Sequence, residues 1–390
     1  MTQHRDHYYP VPALLARDFV QMGHQVVALT TQLADGASGL FNEEGSDIHY
    51  LSGTRADVAD QTFWRKSAEI FDEIHSKSPF DLVLGRGNSV YGFLSFSRFS
   101  GQVPVICHEG TYPDLPHKLH RTNKIFRQLL FRPTLVLSSL FRWKYRHCLT
   151  RADRTVCNSP ALANALSNIS CSSRPRTVFI PYGFNLVPYN QALSRVAKQV
   201  PPRLVFVGRL AWDKGVIAII EILARLHHRD VVLDVIGPGS VKVVRRIRKR
   251  AAQLGVQDRV HLVGPIHNTK LPDSLAGAFA LLLPSTHAEG LNKSIMEAMS
   301  ARLPVITYDI PGMDALVKQG ETGWRVPVYD IGAAAVAIDQ LLDHPDLAER
   351  MGNAGQSLIQ DYFSPSRVRM LWNLLFDEIT TEKGQSISLK

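Results

Sequence analysis

Short apolar segments alternate with amphipathic ones along almost the whole chain, and this alternation most limits the fold. The apolar segments are rich in β-branched residues and leucine, and a stretch with helical periodicity follows each of them. Parallel strands covered by helices on both faces have this pattern. We therefore predict an α/β fold of doubly wound parallel sheets. The predicted strands are 25–30, 81–84, 103–107, 155–157, 177–180, 203–207, 231–236, 260–263, 280–283 and 305–308.

A polar, proline-flanked segment at 186–202 separates the two series of strands. It predicts two Rossmann-like domains of similar size. The last amphipathic segment contains Trp372 and predicts a helix, with a frayed tail after Ile379. The expected boundaries are 1–190 for the first domain, 191–202 for the linker, 203–363 for the second domain, and 364–390 for the C-terminal helix and tail.

Composition excludes several classes of protein. The 390 residues are 45% hydrophobic and 20% charged, which is typical of a globular chain with large cores. Four widely spaced cysteines indicate reduced thiols, rather than a disulfide framework or a zinc site. No apolar run reaches the ~20 residues of a spanning helix, and the first residues lack the core of a signal peptide. We therefore expect a cytoplasmic protein.

The charge balance points to an anionic partner. Lys and Arg number 44 against 35 Asp and Glu, a formal net charge of +9. Nucleic acid, anionic lipid and phosphorylated small molecules all fit this excess. Nucleic acid is the least favoured of the three, because no recognition motif accompanies the charge.

A basic motif follows the predicted strand 203–207. Gly208 permits a sharp turn, so that Arg209 and Lys214 would lie near the carboxyl edge of a parallel sheet, where such sheets bind ligands. Arginine offers a planar fork to two phosphate oxygens, and lysine adds a compact charge. The motif is typical of a phosphate site, and also of two solvated cations beside a turn.

The segment 235–240 matches a nicotinamide-binding fingerprint only in part. Lys242 occupies the position of the third glycine in the G-x-G-x-x-G pattern. We therefore interpret the segment as a turn from a strand to a helix.

The segment 284–306 carries the strongest chemical signal. Glu289 lies in a predicted turn, and Glu297 follows eight residues later inside a helix that begins near Asn292. The free N–H groups of that helix's first turn offer an anion site. Glu297 can accept hydrogen bonds from a diol such as ribose, and Glu289 can hold sugar hydroxyls or balance positive charge at an anomeric carbon. A surface turn followed by an amphipathic helix explains the apolar positions but not the two glutamates.

These motifs together resemble the donor domain of retaining glycosyltransferases of family 4. The resemblance rests on G-R-L and K-G at 208–215, E-G-x6-E-A-M at 289–299, L-P-V-I at 303–306, Gly312, and E-T-G-W at 321–324. It implies the GT-B fold, with two Rossmann-like domains facing a central cleft. It also implies a nucleotide-diphosphate sugar donor and a setting in polysaccharide biosynthesis.

The resemblance also implies roles for individual residues. Arg209 and Lys214, with Gly208 beside them, would bind the diphosphate. Glu297 would bind the ribose, Glu289 would act on the transferred sugar as the catalytic residue, and Val263 would lie near the base. The backbone facing the phosphate and the sugar would be that of Gly290, Leu291 and Asn292.

The first half of the chain resembles the family more loosely, at 22–30 and 180–184. His108, directly after the predicted strand 103–107, lies where these enzymes often place a histidine beside the sugar. The family's first strand and its glycine-rich loop have no counterpart here, and Asn185 replaces a common aspartate. We therefore expect a first sheet without its first strand, through truncation or remodelling.

The sequence predicts a retaining glycosyltransferase that moves a sugar from a UDP- or GDP-sugar to a glycan or lipid-linked acceptor. No D-x-D motif occurs, so we expect neither a metal nor a cofactor. Two alternatives stay open: an epimerase or phosphorylase of the same fold, and a catalytically inactive nucleotide-sugar-binding protein.

Basic and apolar residues are interleaved at 115–152, where no acidic residue occurs. This pattern fits an amphipathic surface that lies on anionic lipid at the inner face of a membrane. A pair of solvated basic helices over the core explains it equally well. A second basic cluster, 242–250, is interpreted as a solvated helix face.

Overall fold

A computed structural model describes residues 11–110, 143–167, 177–287 and 291–388. The chain divides into two compact units. The C-terminal unit is Pro181–Val368, and the N-terminal unit comprises residues up to Ile180 together with those from Arg369 onward. The boundary between the two units therefore lies between Ile180 and Pro181, before the predicted boundary at residue 190. The predicted linker 191–202 contains the end of a helix of the C-terminal unit.

The N-terminal unit contains two separate sheets among its described residues. Its strands are β1 (Val27–Thr31), β2 (Gly39–Glu43), β3 (Ser46–Leu51), β4 (Val83–Arg86), β5 (Val105–Glu109), β6 (Arg154–Cys157) and β7 (Thr177–Phe179). Strands β4, β5, β6 and β7 form a parallel sheet in that order. The other sheet has the order β1-β3-β2, with β1 parallel and β2 antiparallel to β3.

Helices cover the N-terminal unit. They are α1 (Val11–Gln21), α2 (Gln61–Lys77), α3 (Tyr91–Phe96), α4 (Trp143–Arg151) and α5 (Pro160–Ser167). Helix α2 begins at Asp60, whose carboxylate accepts hydrogen bonds from the N–H groups of Thr62 and Phe63. The core contains large aromatic side chains of these helices, including Trp64 and Phe71.

The C-terminal unit is built on one six-stranded sheet. Its strands are β8 (Arg203–Val207), β9 (Val232–Ile236), β10 (Val260–Gly264), β11 (Ala280–Leu283), β12 (Val305–Tyr308) and β13 (Gly323–Val326). All are parallel, in the order β10-β9-β8-β11-β12-β13. Numbered within the unit this is 3-2-1-4-5-6, the order of a doubly wound dinucleotide-binding sheet. The predicted fold class is confirmed.

Helices on both faces bury this sheet. They are α6 (Val187–Arg195), α7 (Ala218–Arg225), α8 (Val241–Gln253), α9 (Leu271–Ala276), α10 (Lys293–Ser300), α11 (Ile331–Asp343) and α12 (Pro345–Phe363). The last helix, α13 (Pro365–Ser388), begins in this unit, but most of it belongs to the N-terminal unit. Four of the five side chains of β8 and all four of β11 are buried, which explains why these strands read as unbroken apolar runs.

Helix α13 continues well beyond the predicted start of a frayed tail at residue 379. The Arg154 guanidinium on β6 binds the carboxylates of Glu378 and Glu382, at 2.5 and 2.9 Å. Earlier in the helix, Trp372 is 1% exposed, and its ring lies edge-on to that of Phe19 at 5.2 Å between centroids. The prediction of a frayed tail is therefore wrong, because partners distant in sequence hold the helix to the N-terminal unit.

We predict that Trp372→Ala destabilises the N-terminal unit by about 3–5 kcal/mol, because it leaves a cavity among buried aromatic rings. Leu374→Ala on the same helix is the control, since Leu374 is 59% exposed and its loss should cost less than about 0.5 kcal/mol. Urea unfolding followed by circular dichroism measures both values. Equal losses in the two variants would contradict the packing described for α13.

Candidate functional site

The order of the six-stranded sheet reverses between β8 and β11, and open α/β sheets bind ligands in the crevice at such a point. The loop after β8 contains Gly208, Arg209 and Lys214, and the loop after β11 leads toward α10. Two of the segments that the sequence singled out therefore leave the sheet at the same crevice.

A glycine lies at the end of β10 and directly after the ends of β9 and β8, the next two strands along this edge of the sheet. Gly208, Gly237 and Gly264 have φ values of +152°, +138° and +79°, in the region that favours glycine. The Gly237 N–H donates to the Gly264 carbonyl at 2.9 Å, and a Cβ on Gly237 would lie 1.9 Å from the Gly208 carbonyl oxygen. The edge is thus a close-packed backbone surface. Val263, which is 46% exposed, lies beside it at the end of β10.

The predicted turn at 235–240 is confirmed. It joins the end of β9 to α8, and the Ser240 hydroxyl caps that helix by accepting a hydrogen bond from the Val243 N–H.

Backbone contacts fix the lysine-bearing loop against the loop after β11. The Asp213 carbonyl accepts hydrogen bonds from the Thr286 N–H at 2.8 Å and the Ser285 hydroxyl at 3.2 Å. Gly215 has φ +74°, and a Cβ there would lie 2.2 Å from the Pro284 carbonyl oxygen. Sequence reasoning missed this connection. Its signal is Gly215 itself, since only glycine allows so close an approach.

The two cations of this loop differ in exposure. Arg209 is exposed, whereas Lys214 is half-buried. Burial lowers the pKa of Lys214, the Arg209 charge lowers it further, and Asp213 opposes both effects. An anion bound in the crevice would relieve the repulsion between the two cations.

Helix α10 begins where the sequence predicted. Asn292 is its N-cap, with the side-chain oxygen accepting from the Ile295 N–H at 3.2 Å, and the preceding Leu291 is buried. Asn292 and Leu291 thus lie directly at the helix N-terminus, where backbone N–H groups attract negative charge. Glu289 and Gly290 lie outside the described residues.

Glu297 is buried inside α10, with only 6% of its surface exposed. Burial raises the pKa of its carboxyl, and the Lys293 ammonium, 3.5 Å away, opposes that shift. Burial raises the pKa of the Tyr189 phenol on α6, and the charge of Glu297 raises it further. Among the described residues, the Lys293 ammonium is thus the ion-pair partner of this carboxylate.

In the N-terminal unit, His108 lies within β5 and not after it, so the predicted strand end was too early. It is 1% exposed, and burial lowers the pKa of its ring to about 4, with a smaller contribution from Arg86. The imidazole is neutral near pH 7 and can exchange hydrogen bonds with a hydroxyl without carrying charge.

Glu109, the next residue of β5, is a titratable group that sequence reasoning missed. Burial raises the pKa of its carboxyl to about 7, while hydrogen bonding to Cys107 and Tyr145 opposes the shift. The Cys107 thiol donates to the Glu109 Oε1 atom at 3.6 Å. Because side chains alternate along a strand, Glu109 and Cys107 lie on the opposite face of β5 from His108.

The described ranges contain neither a metal-binding cluster nor a membrane-spanning helix. Within them no cluster of three or more His, Cys, Asp and Glu side chains could hold a metal ion. No helix there is both long and apolar enough to cross a membrane.

Each half of the chain matches the profile of a known glycosyltransferase domain family. Residues 194–358 match the profile described as "Glycosyl transferases group 1", and residues 11–183 match "Glycosyl transferase 4-like domain". The chain belongs to the family 4 glycosyltransferases. The resemblance that the sequence motifs indicated is thereby confirmed.

Individual relatives match parts of this chain. An alpha-D-kanosaminyltransferase of Streptomyces kanamyceticus is 34% identical over 152 residues, 38% of this chain and 39% of that protein. A D-inositol 3-phosphate glycosyltransferase of Streptomyces scabiei is 28% identical over 54% of this chain and 51% of its own length. The matches thus span less than two thirds of these two relatives. A D-rhamnosyltransferase of Pseudomonas aeruginosa is 26% identical over 74% of this chain and 77% of its own.

Solved structures show the fold of this chain. Sucrose-phosphate synthase of Thermosynechococcus elongatus matches with a TM-score of 0.74 at 20% identity, covering 95% of this chain and 93% of that one. The Anabaena protein HepE, solved in complex with UDP, matches with a TM-score of 0.65 at 16% identity, covering 86% and 87%. These likenesses establish the GT-B fold.

We predict that Gly215→Ala costs about 1–3 kcal/mol more stability than Gly255→Ala. Both glycines have similar positive φ values, +74° and +67°, so the backbone strain of about 1–2 kcal/mol is shared. Only the Cβ at 215 would collide, with Pro284, whereas nothing lies within 4 Å of the one at 255. Unfolding free energies from urea titration provide the comparison, and equal losses would rule out the close approach.

We predict opposite pH dependences for the two neighbours on β5. The pKa of Glu109 is raised from 4.5 to about 7 on folding, so its stabilising effect is present below pH 4.5 and lost as pH rises through 7. The pKa of His108 is lowered from 6.5 to about 4, so its stabilising effect is lost as pH falls through that range. In the wild type the two effects oppose each other between pH 4.5 and 6.5.

Glu109→Gln removes one of these effects. Relative to this variant, the wild type should lose about 3 kcal/mol of unfolding free energy between pH 4.5 and pH 8, because the buried carboxylate must ionise. Urea unfolding at several pH values gives the difference between the two proteins. A difference that does not change with pH would show that Glu109 is solvated.

Proposed function

We propose that this protein transfers a sugar from a UDP- or GDP-sugar to a glycan or lipid-linked acceptor, with retention of anomeric configuration and without a metal. One observation carries the proposal. The cationic loop after β8 is bound through its backbone to the loop after β11, at the point where the strand order reverses. Such a crevice suits the diphosphate of a nucleotide.

The donor's diphosphate would be bound by Arg209, Lys214 and the N–H groups at the start of α10. The backbone that carries these groups is held by hydrogen bonds before the ligand arrives, which favours stabilisation of charge on the departing diphosphate. Fixed cations and a helix N-terminus supply positive charge that a metal ion would otherwise provide. HepE from Anabaena, solved in complexes with UDP and with UDP-glucose, supports a nucleotide-sugar donor here by likeness of fold.

The nucleoside would lie along the sheet edge formed by Gly208, Gly237 and Gly264. The backbone surface formed by Gly208 and Gly237 lets a planar group approach closely, and Val263 offers an exposed apolar contact for the base. Glu297 would accept hydrogen bonds from the ribose diol, since a buried carboxylate recovers stability when it is hydrogen-bonded.

The remaining roles follow from the family resemblance. Glu289 would balance positive charge at the anomeric carbon, while the backbone of Gly290 contacts the transferred sugar. His108 would bind a sugar hydroxyl as a neutral imidazole, which agrees with its lowered pKa. The N-terminal unit would hold the acceptor.

The segment 115–152 would place the enzyme on an anionic membrane, where a lipid-linked acceptor is met. Most of this segment, 115–142, lies outside the described residues. In its described part, the side chain of Trp143 is 56% exposed and that of Arg146 is exposed on α4. An aromatic ring beside a cation suits the interface of a bilayer.

Transfer is favoured over the two alternatives by the relatives, which are named as kanosaminyl-, rhamnosyl- and inositol-phosphate glycosyltransferases. Incubation with UDP- and GDP-sugars, acceptors and EDTA separates the three cases. A glycoside with the donor's anomeric configuration, formed in EDTA, supports the proposal. An epimerised nucleotide sugar, a dependence on phosphate, or binding with no turnover each contradicts it.

We predict that removing the two cations of the loop abolishes most transfer. Arg209→Ala and Lys214→Ala should each lower kcat/KM by about 10²–10³-fold, because each removes a preorganised contact to developing charge. The control is Arg350→Ala with Lys318→Ala, two exposed cations of the same unit, which should leave kcat/KM within about twofold. If the two single variants kept the kcat/KM of the control, Arg209 and Lys214 would be removed from the site.

A further inference from the structure

Helix α8 carries a cationic face that the proposed transfer reaction does not use. The helix contains no acidic residue, and at 100° per residue its exposed basic side chains cover an arc of about 160°. These side chains, called here the α8 cationic face, are Lys242, Arg245, Arg246, Arg248 and Lys249.

The cations of this face have no ion-pair partner among the residues that the structure describes. By contrast, Arg250 on the inner side of the helix binds the Glu221 carboxylate at 2.6 Å. The five like charges therefore repel one another along the helix, and an anionic surface would relieve this repulsion.

The apolar side of α8 is already occupied. Val243, Ile247 and Ala251 are buried in the core of the C-terminal unit, so this side cannot insert into a bilayer. Attraction through the α8 cationic face must then be electrostatic, which makes it sensitive to salt. This differs from 115–152, where interleaved apolar residues could also insert.

Apolar surface adjoins the α8 cationic face. Val241, at the start of the helix, is 82% exposed. A groove of about 230 Å³ lies between α8 and β10, the edge strand of the sheet. It is lined by Ile247, Arg248, Ala251, Gln257, Val260 and Leu262. One cation among aliphatic side chains matches the chemistry of a phospholipid, which carries a phosphate beside hydrocarbon.

We propose that the α8 cationic face docks this protein on an anionic lipid surface. The exposed side of α8 has no aromatic ring for stacking bases, so a bilayer fits better than a single-stranded nucleic acid. Helix α8 starts at the same sheet edge as the candidate site, two residues after Gly239. Docking would thus bring that edge close to the lipid surface, and it is independent of whether the site transfers a sugar.

Sedimentation with vesicles of phosphatidylcholine, with and without phosphatidylserine, tests the proposal on the full-length protein. The test variant changes all five cations of the α8 cationic face to glutamine. The control variant changes five other exposed cations of the same unit to glutamine and so removes the same charge. These cations are Arg229, Lys270, Lys318, Arg350 and Arg367. Circular dichroism compares the folding of the three proteins, and the single variant Arg246→Gln serves if the test variant fails to fold.

Wild type should bind the vesicles that contain phosphatidylserine and not the neutral ones. Each cation near an anionic surface contributes about fivefold to binding, so the test variant should lose on the order of 10³-fold and Arg246→Gln about fivefold. The contribution of the face should vanish in 1 M salt, where the Debye length falls to ~3 Å.

Three results would overturn the proposal. The test variant could bind within about twofold of wild type, the control could lose as much as the test variant, or wild type could bind neutral vesicles equally well. Binding of single-stranded RNA through these cations, without binding to vesicles, would assign the face to nucleic acid instead.

Discussion

The approach of Gly215 to the Pro284 carbonyl is the contact on which the candidate site depends. It brings the loop after β8 against the loop after β11, and the Asp213 carbonyl joins the two by hydrogen bonds. Because these loops leave strands on either side of the switch point, their contact defines the floor of the crevice. Lys214 owes its burial, and hence its lowered pKa, to this position.

In the N-terminal unit, one strand carries two buried titratable groups on opposite faces. His108 and Glu109 are adjacent on β5. Burial lowers the pKa of His108 and raises that of Glu109, and both shifts favour the neutral form of the group. Near pH 7 the His108 ring is therefore uncharged, while Glu109 is about half ionised. An uncharged imidazole suits recognition of hydroxyl groups, which are themselves neutral.

The bounds of a strand are predicted best from the sequence where its side chains are most deeply buried. The bounds of β8, β11 and β12 agree with the predicted ones, since their side chains are almost all buried and appear as continuous apolar runs. Strands β2 and β3 were missed, because β2 is mostly exposed and has no such run. The contact of Asp213 with Thr286 uses a backbone carbonyl, which leaves no side-chain signature. Helix α13 extends past residue 379 where Arg154 binds it, and the sequence did not indicate this because Arg154 lies more than half the chain away.

A crystal structure of the protein with UDP or GDP tests the central claim most directly. The account predicts the diphosphate at the carboxyl ends of β8 and β11, with a phosphate oxygen about 3 Å from the Lys214 Nζ atom and others facing the start of α10. A nucleotide bound elsewhere, with no phosphate contact to Arg209, Lys214 or the N-terminus of α10, would contradict it.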